Sequence, residues 1–449
     1  MIRHMKALQL DPHGAVVQGP ARHPAAETGV AQADIRTTQP NGALPSTLGS
    51  RAFYLLNGWA DALGLFRQPL SARDLMSAAE RRTGLSDFGE WNVEEPLSRL
   101  IWSYENESSL NAFGRFAARW DSLRFLMNLL RLRDEEQRHP EILEQEIVRP
   151  IFITGLPRAG TSFLHELICQ DPANLVVHHW ETIYPCALAP GRDDADRRRK
   201  KVQSQITSFE RIAPEIRYLH PFTADSPQEC TEITGHVFRG MRFDTTHYVP
   251  SYSRWLEGEN QRLVYRFHKR FLQHLQYRRG PGRWVLKCPE HIFALDALRA
   301  TYPDARFVFT HRNPVSVLPS VARLTETVRQ PFTKRLDRRQ IGAEVSERWV
   351  LGTTIMVDTA KSLADSTEPP LHIDFGQFVR DPAACVREFY RHFGLDLDDE
   401  TQSRVRELVA LKPTGGNVRN RGHLEDYGLD AEAERERFAD YTTFFGIVA

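Results

Sequence analysis

The sequence predicts an α/β fold with three layers around a central parallel sheet, preceded by an N-terminal helical extension. Three short runs of β-branched and aromatic residues support this prediction, because each is followed by a turn and by apolar residues at helical spacing. The runs are Ile151–Thr154, Trp284–Lys287 and Arg306–His311. Strands that are joined through helices pair in parallel, so the three runs are expected to lie in one sheet.

The first strand leads into a glycine-bearing turn that is suited to an anion. Gly155 and Gly160 let the backbone approach a ligand closely, and the helix that follows offers unpaired N–H groups and the positive end of its dipole. The spacing nearly fits the Walker A pattern, which predicts a P-loop-like fold. However, Thr161 stands where the phosphate-binding lysine belongs, and Arg158 supplies a cation inside the loop instead.

The departure from Walker A argues against a nucleotide triphosphatase, which needs that lysine and a carboxylate to hold Mg²⁺. The best carboxylate is Asp374, after Leu371–Ile373, and it can equally be a simple strand end. The loop is therefore predicted to bind phosphate or sulfate without metal. The alternative is a tight turn whose glycines and proline serve geometry alone.

The run from Gly155 to Ser162 resembles the 5′-phosphosulfate loop of the sulfotransferases that use 3′-phosphoadenosine-5′-phosphosulfate (PAPS). Bacterial and tyrosyl-protein members of that family carry Pro-Arg-Ser-Gly-Thr at this place. The resemblance implies cofactor binding by a set of consecutive loop and helix residues: Arg158, Ala159, Gly160, Thr161 and Ser162. It also implies a second anion site, for the 3′-phosphate, built from an arginine after a later strand and a serine eight residues on.

Both residues of that second site are present. Arg312 closes the run Arg306–His311, and Ser320 follows it by eight positions. Asn313 is a good N-cap and Pro314 a good first helical residue, so Ser320 is expected in the next helix. Pro319 removes a helical hydrogen bond and predicts a kink just before Ser320.

The resemblance also implies a lysine that contacts the transferred sulfonate, and Lys287 matches it at the end of its strand. Two residues compete for the general base that takes the acceptor's proton. Glu181 resembles the catalytic glutamate of tyrosyl-protein members and is the preferred candidate. His291 resembles the loop histidine of cytosolic members, although it lies four positions after Lys287 rather than two. Glu229 is a third carboxylate to test, with helix capping or a salt bridge as its alternative role.

A late basic loop spans Gly415–Gly422. It occupies the same place in the order of motifs as the family's segment that closes over the 3′-phosphate. Arg421 is the candidate contact within it, and a solvated loop is the alternative interpretation.

The chain divides into three predicted regions. Residues 1–45 have little periodicity and are predicted to be disordered. Residues 46–148 are predicted to form the helical extension, on a stripe through Phe116, Leu123, Leu126 and Leu130, with a last helix starting at His139–Glu141. Residues 149–449 are predicted to form the catalytic α/β domain. The extension is either a wall of the acceptor pocket or a packing layer.

Composition excludes some classes of function. Lys plus Arg equals Asp plus Glu, at 58 each, so no overall charge favours nucleic acid. Five cysteines, an odd number without metal-site spacing, are typical of a reducing compartment. No apolar run approaches the length of a membrane span. The protein is therefore expected to be cytoplasmic and to have no metal site.

The resemblance, carried by the three motifs in their order along the chain, implies a PAPS-dependent sulfotransferase. It would move a sulfonate from PAPS to a hydroxyl of a small molecule, lipid or glycan by metal-independent in-line transfer, leaving 3′,5′-ADP. One alternative is a Mg²⁺-dependent P-loop kinase with a degenerate Walker A. The other is a nucleotide-binding scaffold of the same fold without catalytic activity.

Overall fold

The centre of the protein is a sheet of five parallel strands, described here from a computed structural model that covers residues 47–187, 194–364, 366, 368–411 and 422–447. The strands are β1 Ile151–Gly155, β2 Asn174–Leu175, β3 Arg283–Lys287, β4 Arg306–His311 and β5 Leu371–Asp374. Their order across the sheet is β2–β3–β1–β4–β5, and every pair is parallel. The predicted parallel sheet is confirmed.

The register brings three chain turns to one edge of the sheet. Ile153 pairs with Lys287 of β3, and Gly155 pairs with Thr310 of β4. The carboxyl ends of β1, β3 and β4 therefore lie side by side, with β1 between the other two. In open α/β sheets ligands bind at this edge.

Helices surround the sheet on both faces, and the elements between residue 47 and β1 are helices joined by turns and loops. The α-helices among the described residues are α1 Leu48–Ala62, α2 Ala72–Thr83, α3 Glu94–Asn106, α4 Ala112–Arg138, α5 Thr161–Ile168, α6 His179–Ile183, α7 Ala195–Ile212, α8 Ile216–Leu219, α9 Thr231–Thr234, α10 Arg242–Thr246, α11 Pro250–Glu257, α12 Arg262–Arg279, α13 Leu295–Thr301, α14 Pro314–Arg329, α15 Arg338–Ser362, α16 Phe375–Arg380, α17 Pro382–His392, α18 Asp399–Leu411, α19 Ala431–Arg437 and α20 Ala439–Phe444. Short 3₁₀ helices are Pro140–Ile142, Gly235–Val237, Pro289–Ala294, Gln330–Phe332 and Glu425–Tyr427.

The alternation of side chains along β1 makes three layers. Ile151 and Ile153 share one apolar cluster with residues of α5, α17 and α18. Phe152, on the opposite face, belongs to a larger cluster with residues of α12 to α15. Successive strand residues point to opposite faces, so each face is covered by its own layer of helices. The three-layer prediction is confirmed.

The larger cluster also contains residues of the helical extension, so the extension packs on the same core as the sheet. Leu123, Leu126 and Leu130 of α4 are buried, as the predicted stripe requires. The prediction is wrong for Phe116, which is 45% exposed and contacts the ring of Phe66 instead of the core.

The segment after α4 also differs from its prediction. The predicted last helix of the extension is only a 3₁₀ turn, Pro140–Ile142, because the chain then turns towards β1 at Ile151. The chain from Pro45 onward is one compact unit. No helix among the described residues combines the length and apolar composition that a bilayer crossing requires.

Candidate functional site

The turn between β1 and α5 has a backbone that only glycine permits at two positions. Gly155 has φ +134°, and a Cβ there would lie 2.3 Å from the carbonyl oxygen of Thr310 on β4. Gly160 has φ +84° and is the N-cap of α5, where no side chain caps the helix. The first-turn N–H groups of α5 therefore face the turn without a capping side chain, as an anion site requires.

Arg158 crosses this turn in a left-handed conformation, with φ +63°. Such a backbone is uncommon for a residue with a side chain, and here it is held by two side-chain hydrogen bonds. Nε donates to Ser320 Oγ at 3.0 Å, and one terminal nitrogen donates to the carbonyl of Leu219 at 2.7 Å. The guanidinium thus joins the turn to α14 and to the end of α8.

Arg312 follows β4 and lies against the same turn. Its terminal nitrogen donates to the carbonyl of Arg158 at 2.6 Å, and its guanidinium stacks on the ring of Phe375 at 4.0 Å. Asn313 caps α14, as predicted, by accepting from the N–H of Val315. The helix continues through Pro319 as one element.

The two arginines form a positive site. Burial lowers the pKa of Arg158. Burial, and then the nearby charge of Arg158, lower the pKa of Arg312. Two like charges held together out of water are unfavourable, and a bound anion relieves that repulsion. Arg158, Arg312 and Ser320 therefore lie together in the arrangement expected of a phosphate site.

Lys287, the last residue of β3, brings a third cation to the turn. Its side chain is 3% exposed, and Nζ donates to Ser162 Oγ at 3.1 Å and to Glu229 Oε1 at 2.5 Å. The lysine thus connects the first turn of α5 with a carboxylate from a segment far from it in sequence.

Glu229 is positioned by backbone pairing on both sides. The N–H of Gln228 donates to the carbonyl of Val177 at 2.8 Å, and the N–H of Cys230 donates to the carbonyl of Lys287 at 3.2 Å. Burial opposes the charge of Glu229, but Lys287, with smaller contributions from His220 and His165, outweighs burial and holds the pKa of the carboxyl below its ordinary value. The Glu229 side chain remains 25% exposed, so a reactant can reach it.

His220 lies close to the same charges and is a site residue that the sequence analysis missed. It follows α8 directly, and its ring is 5.7 Å from that of Phe222. Burial lowers the pKa of His220 to about 4; the charge of Glu229 opposes this shift, and the charges of Lys287 and Arg158 reinforce it. No motif marks this histidine, because only the folding of α8 against the turn brings it here.

The remaining candidates for the base have other partners. Glu181 is buried on α6, where it accepts from the backbone N–H of His178 at 2.9 Å and pairs with Arg279. His291 is buried, and its Nδ1 lies 2.7 Å from the hydroxyl of Tyr265. Burial holds its pKa well below the ordinary value for histidine. Neither residue has a hydrogen bond to Lys287 among the contacts of the described residues.

Two further candidates are Arg421, in the late basic loop, and Asp374, the carboxylate considered as a Mg²⁺ ligand. Arg421 lies outside the described residues, but a Cβ on its neighbour Gly422 would be 3.1 Å from the carbonyl oxygen of Pro319, next to Ser320. Asp374 caps α16 by accepting from the N–H of Gln377 at 2.9 Å. No group of three or more His, Cys, Asp and Glu side chains in the described part of the chain is arranged around a metal site.

A cavity of about 620 Å³ is lined by the residues that follow Glu229 and Lys287 in the chain. These residues are Cys230 and Cys288, and Glu290 and Tyr265 also line the cavity. Glu290 accepts from the hydroxyl of Thr231 at 2.7 Å. The volume lies within the range of small-molecule sites, which is roughly 300–1,000 Å³.

Comparison with known proteins gives one family. A sequence profile described as the Sulfotransferase family matches residues 150–399. Curated relatives from Mycobacterium bovis and Mycobacterium tuberculosis, each named omega-hydroxy-beta-dihydromenaquinone-9 sulfotransferase Stf3, are 26% identical over 286 residues. That match covers 58% of this chain and 66% of each relative, slightly less than two thirds of their length.

Two solved structures are similar over most of the chain. Sulfotransferase STF1 from Mycobacterium tuberculosis is 31% identical, with a TM-score of 0.72, and the match covers 83% of this chain and 99% of that one. Sulfotransferase STF9 from Mycobacterium avium is 28% identical, with a TM-score of 0.75, and the match covers 84% of this chain and 97% of that one.

Proposed function

Because the chain belongs to the sulfotransferase family, we propose that it transfers a sulfonate from PAPS to the hydroxyl of an acceptor. The observation that carries this proposal is the meeting of Arg158, Lys287 and Arg312 around the turn before α5. Sulfonate transfer, like phosphoryl transfer, depends mainly on positioning and on stabilising charge, which one buried and two half-buried cations supply.

The donor would be held at two places. The 5′-phosphosulfate would bind Arg158, Thr161, Ser162 and the backbone around Ala159 and Gly160, where the helix has no capping side chain. The 3′-phosphate would bind Arg312 and Ser320, with Arg421 from the late loop as a further contact. Each of these groups is a cation, a hydroxyl or an N–H donor, so the donor set fits a phosphate and a sulfonate without a metal ion.

Glu229 is the general base in this proposal, in preference to Glu181 and His291. Its carboxylate is ionised through its contact with Lys287 and remains partly exposed, so it can accept the proton of an acceptor hydroxyl. Lys287 then stabilises negative charge on the transferring group while Ser162 positions its ammonium. The partners of Glu181 and His291 favour structural roles for those two residues.

The acceptor belongs to the small-molecule or lipid class, with a glycan as the alternative. The curated relatives are named for a hydroxylated menaquinone derivative. The cavity lined by Cys230 and Cys288 has the volume of a small-molecule site and is the proposed acceptor pocket. A cytoplasmic location is also proposed, since all five cysteines are free.

Thermal unfolding with nucleotides tests the donor site. Ligand at 100 times its Kd stabilises the native state by about 2.7 kcal/mol, enough to raise Tm by about 1 °C or more. We expect 3′,5′-ADP to raise Tm in the presence of EDTA, and Arg312→Ala to weaken 3′,5′-ADP far more than 5′-AMP. The exposed Arg335→Ala is the control. A rise in Tm with ATP and Mg²⁺ but not with 3′,5′-ADP would contradict the proposal and favour the P-loop kinase. Binding of 3′,5′-ADP without sulfonate transfer to any acceptor would favour the nucleotide-binding scaffold without catalytic activity.

A further inference from the structure

Helix α1 exposes an apolar stripe. Leu55, Trp59 and Leu63 follow one another at four-residue steps and are 68%, 72% and 76% exposed, and Leu56 beside them is 68% exposed. Side chains four apart share one helix face, so these residues form one continuous surface.

The opposite face of α1 is turned inward although it carries polar residues. Ser50 and Asn57 are buried, and Asn57 Oδ1 accepts from the backbone N–H of Phe113 in the first turn of α4 at 2.9 Å. The ring of Phe53 also packs on Phe113, with centroids 4.9 Å apart. A surface helix of a globular protein normally buries its apolar face, so α1 has the reverse orientation. The contacts of Asn57 and Phe53 with Phe113 fix the helix in this orientation.

The exposed surface extends beyond α1. Phe66 packs on Phe116 of α4, with ring centroids 5.8 Å apart, and the rings remain 54% and 45% exposed. We call Leu55, Leu56, Trp59, Leu63, Phe66 and Phe116 the α1 patch. It is on the order of several hundred Å², at or above the largest apolar patch of an ordinary soluble monomer.

Positive charge accompanies the α1 patch. Residues 48–67 and 112–120 contain four arginines, at positions 51, 67, 115 and 119, and a single acidic residue, Asp61. Arg115 is paired with Glu105 at 2.7 Å, which reduces the excess of positive charge but does not remove it. The chain as a whole is neutral, so this excess is local. Asp61 itself is paired with Lys334, at 3.2 Å, which brings a further cation to the end of α1.

We propose that the α1 patch docks on the surface of an anionic lipid bilayer, with α1 lying in the plane of the interface. Interfacial helices combine an apolar face with flanking arginines and lysines, and tryptophan prefers the boundary between headgroups and acyl chains. A protein partner of ordinary composition would be expected to meet a rim of mixed charge, whereas the cations here match an anionic headgroup layer. Docking would bring the enzyme to a bilayer-resident hydroxyl, a consequence that rests on the proposed function.

The basic run Asp196–Lys201 of α7 is less suited to this role. Arg198 is buried in an ion pair with Asp194 at 2.8 Å, and Arg199 pairs with Asp196 and Asp225, both at 2.6 Å. Much of the charge of this run is therefore used within the protein.

Vesicle flotation of the full-length protein tests the proposal. We expect flotation with vesicles of phosphatidylcholine and phosphatidylglycerol at 7:3, and at least tenfold weaker binding to phosphatidylcholine alone. Leu55→Glu combined with Trp59→Glu should weaken binding to anionic vesicles at least tenfold. Leu411→Glu is the matched control, because Leu411 is 81% exposed on α18, outside the patch.

Other results would overturn it. Absence of flotation, or flotation that the double variant leaves unchanged, excludes a bilayer as the partner of the α1 patch. A double variant that turns a dimer into a monomer in sedimentation, with flotation unchanged, would assign the patch to a second copy of the chain. Because α1 is exposed, the variant should keep the parent's Tm and its affinity for 3′,5′-ADP, so a failure here is distinct from a failure of the donor site.

Discussion

Glu229 and Glu181 are both carboxylates held by a cation, but their surroundings differ. Glu229 contacts Lys287 beside the turn before α5 and stays partly exposed. Glu181 is almost fully buried, caps its own helix and pairs with Arg279. A capping carboxylate serves stability, whereas a carboxylate that remains accessible beside a cationic site can take a proton.

Glu229→Gln should reduce kcat by about 10²–10⁴-fold, because a positioned general base contributes that much, and it should leave the affinity for 3′,5′-ADP within a few fold. Steady-state kinetics and calorimetry measure the two quantities. Glu181→Gln is the comparison, and it should lower stability while folded enzyme keeps its kcat. The reverse pattern would move the base to Glu181.

Glu290 gives the protein a pH-dependent stability. Burial, opposed by the Thr231 hydrogen bond, raises the pKa of Glu290 to about 7. The folded state therefore holds a proton that the unfolded state releases above its ordinary pKa of about 4.5, so stability falls as pH rises from about 4.5 to 7 and levels off above that.

Glu290→Gln should remove this part of the pH dependence, which amounts to up to about 3 kcal/mol for 2.5 pKa units. Urea unfolding at pH 5 and pH 8 measures it, as the difference between the parent and the variant. The control is Glu257→Gln, because Glu257 is exposed and lines the same 620 Å³ cavity as Glu290. An unchanged pH profile in Glu290→Gln would mean that this carboxyl ionises freely.

Sequence patterns could identify the site where it is local and not where it depends on packing. The β1 turn, Lys287, Arg312 and the Asn313 cap are each set by a few adjacent residues, and the structure brings the first three together. The contact between Lys287 and Glu229 depends on a backbone hydrogen bond between β3 and a segment 58 residues away. No local pattern records such a contact, nor the position of His220.

At the scale of elements, the site depends on how closely β1 and β4 approach one another at their carboxyl ends. Gly155 faces Thr310 with no room for a side chain. The same ends carry the turn before α5 and Arg312, so any separation of the two strands also separates the two halves of the proposed donor site.

Gly155→Ala should lower the free energy of unfolding by at least about 2 kcal/mol, because a Cβ 2.3 Å from the Thr310 oxygen must push the strands apart. Gly84→Ala is the control, because it measures the cost of backbone strain in the absence of a steric clash. Gly84 caps α2 with φ +72° and nothing within 4 Å of its Cβ, so only about 1–2 kcal/mol is expected there. Urea unfolding compares the two variants. Equal losses of unfolding free energy in the two variants would show that Thr310 moves away from the added Cβ at no cost in stability.

At the scale of the whole molecule, a buried group of charges fastens the helices before β1 to the part of the chain that carries the sheet. Arg124 of α4 bonds to Glu232 at 2.6 Å, and Glu232 also pairs with Arg242 at 2.9 Å. Arg242 in turn pairs with Asp121 of α4. Glu232 lies on the short helix that follows Glu229, so the same charges fix the segment that carries the proposed base.

Arg124→Met should destabilise the protein by about 3–5 kcal/mol, since it leaves the buried carboxylates of Asp121 and Glu232 with only Arg242 as a shared cation. The expected transition in urea is single, because the extension and the sheet share one apolar cluster. Arg99→Met, which breaks a half-exposed pair with Glu95 on α3, should cost less than about 1 kcal/mol. Two separate transitions for the parent would contradict a shared core.

The strand order has a consequence for how the chain folds as it is synthesised. β1 lies between β3 and β4, and β3 begins at residue 283, which is 132 residues after β1 begins at residue 151. At about 5–20 residues per second, translation leaves β1 without a neighbour for roughly 7–26 s. Until then its apolar residues and open strand edges are exposed. A nascent chain of this kind is a natural client of chaperones, and slow codons between β1 and β3 would lengthen its exposure.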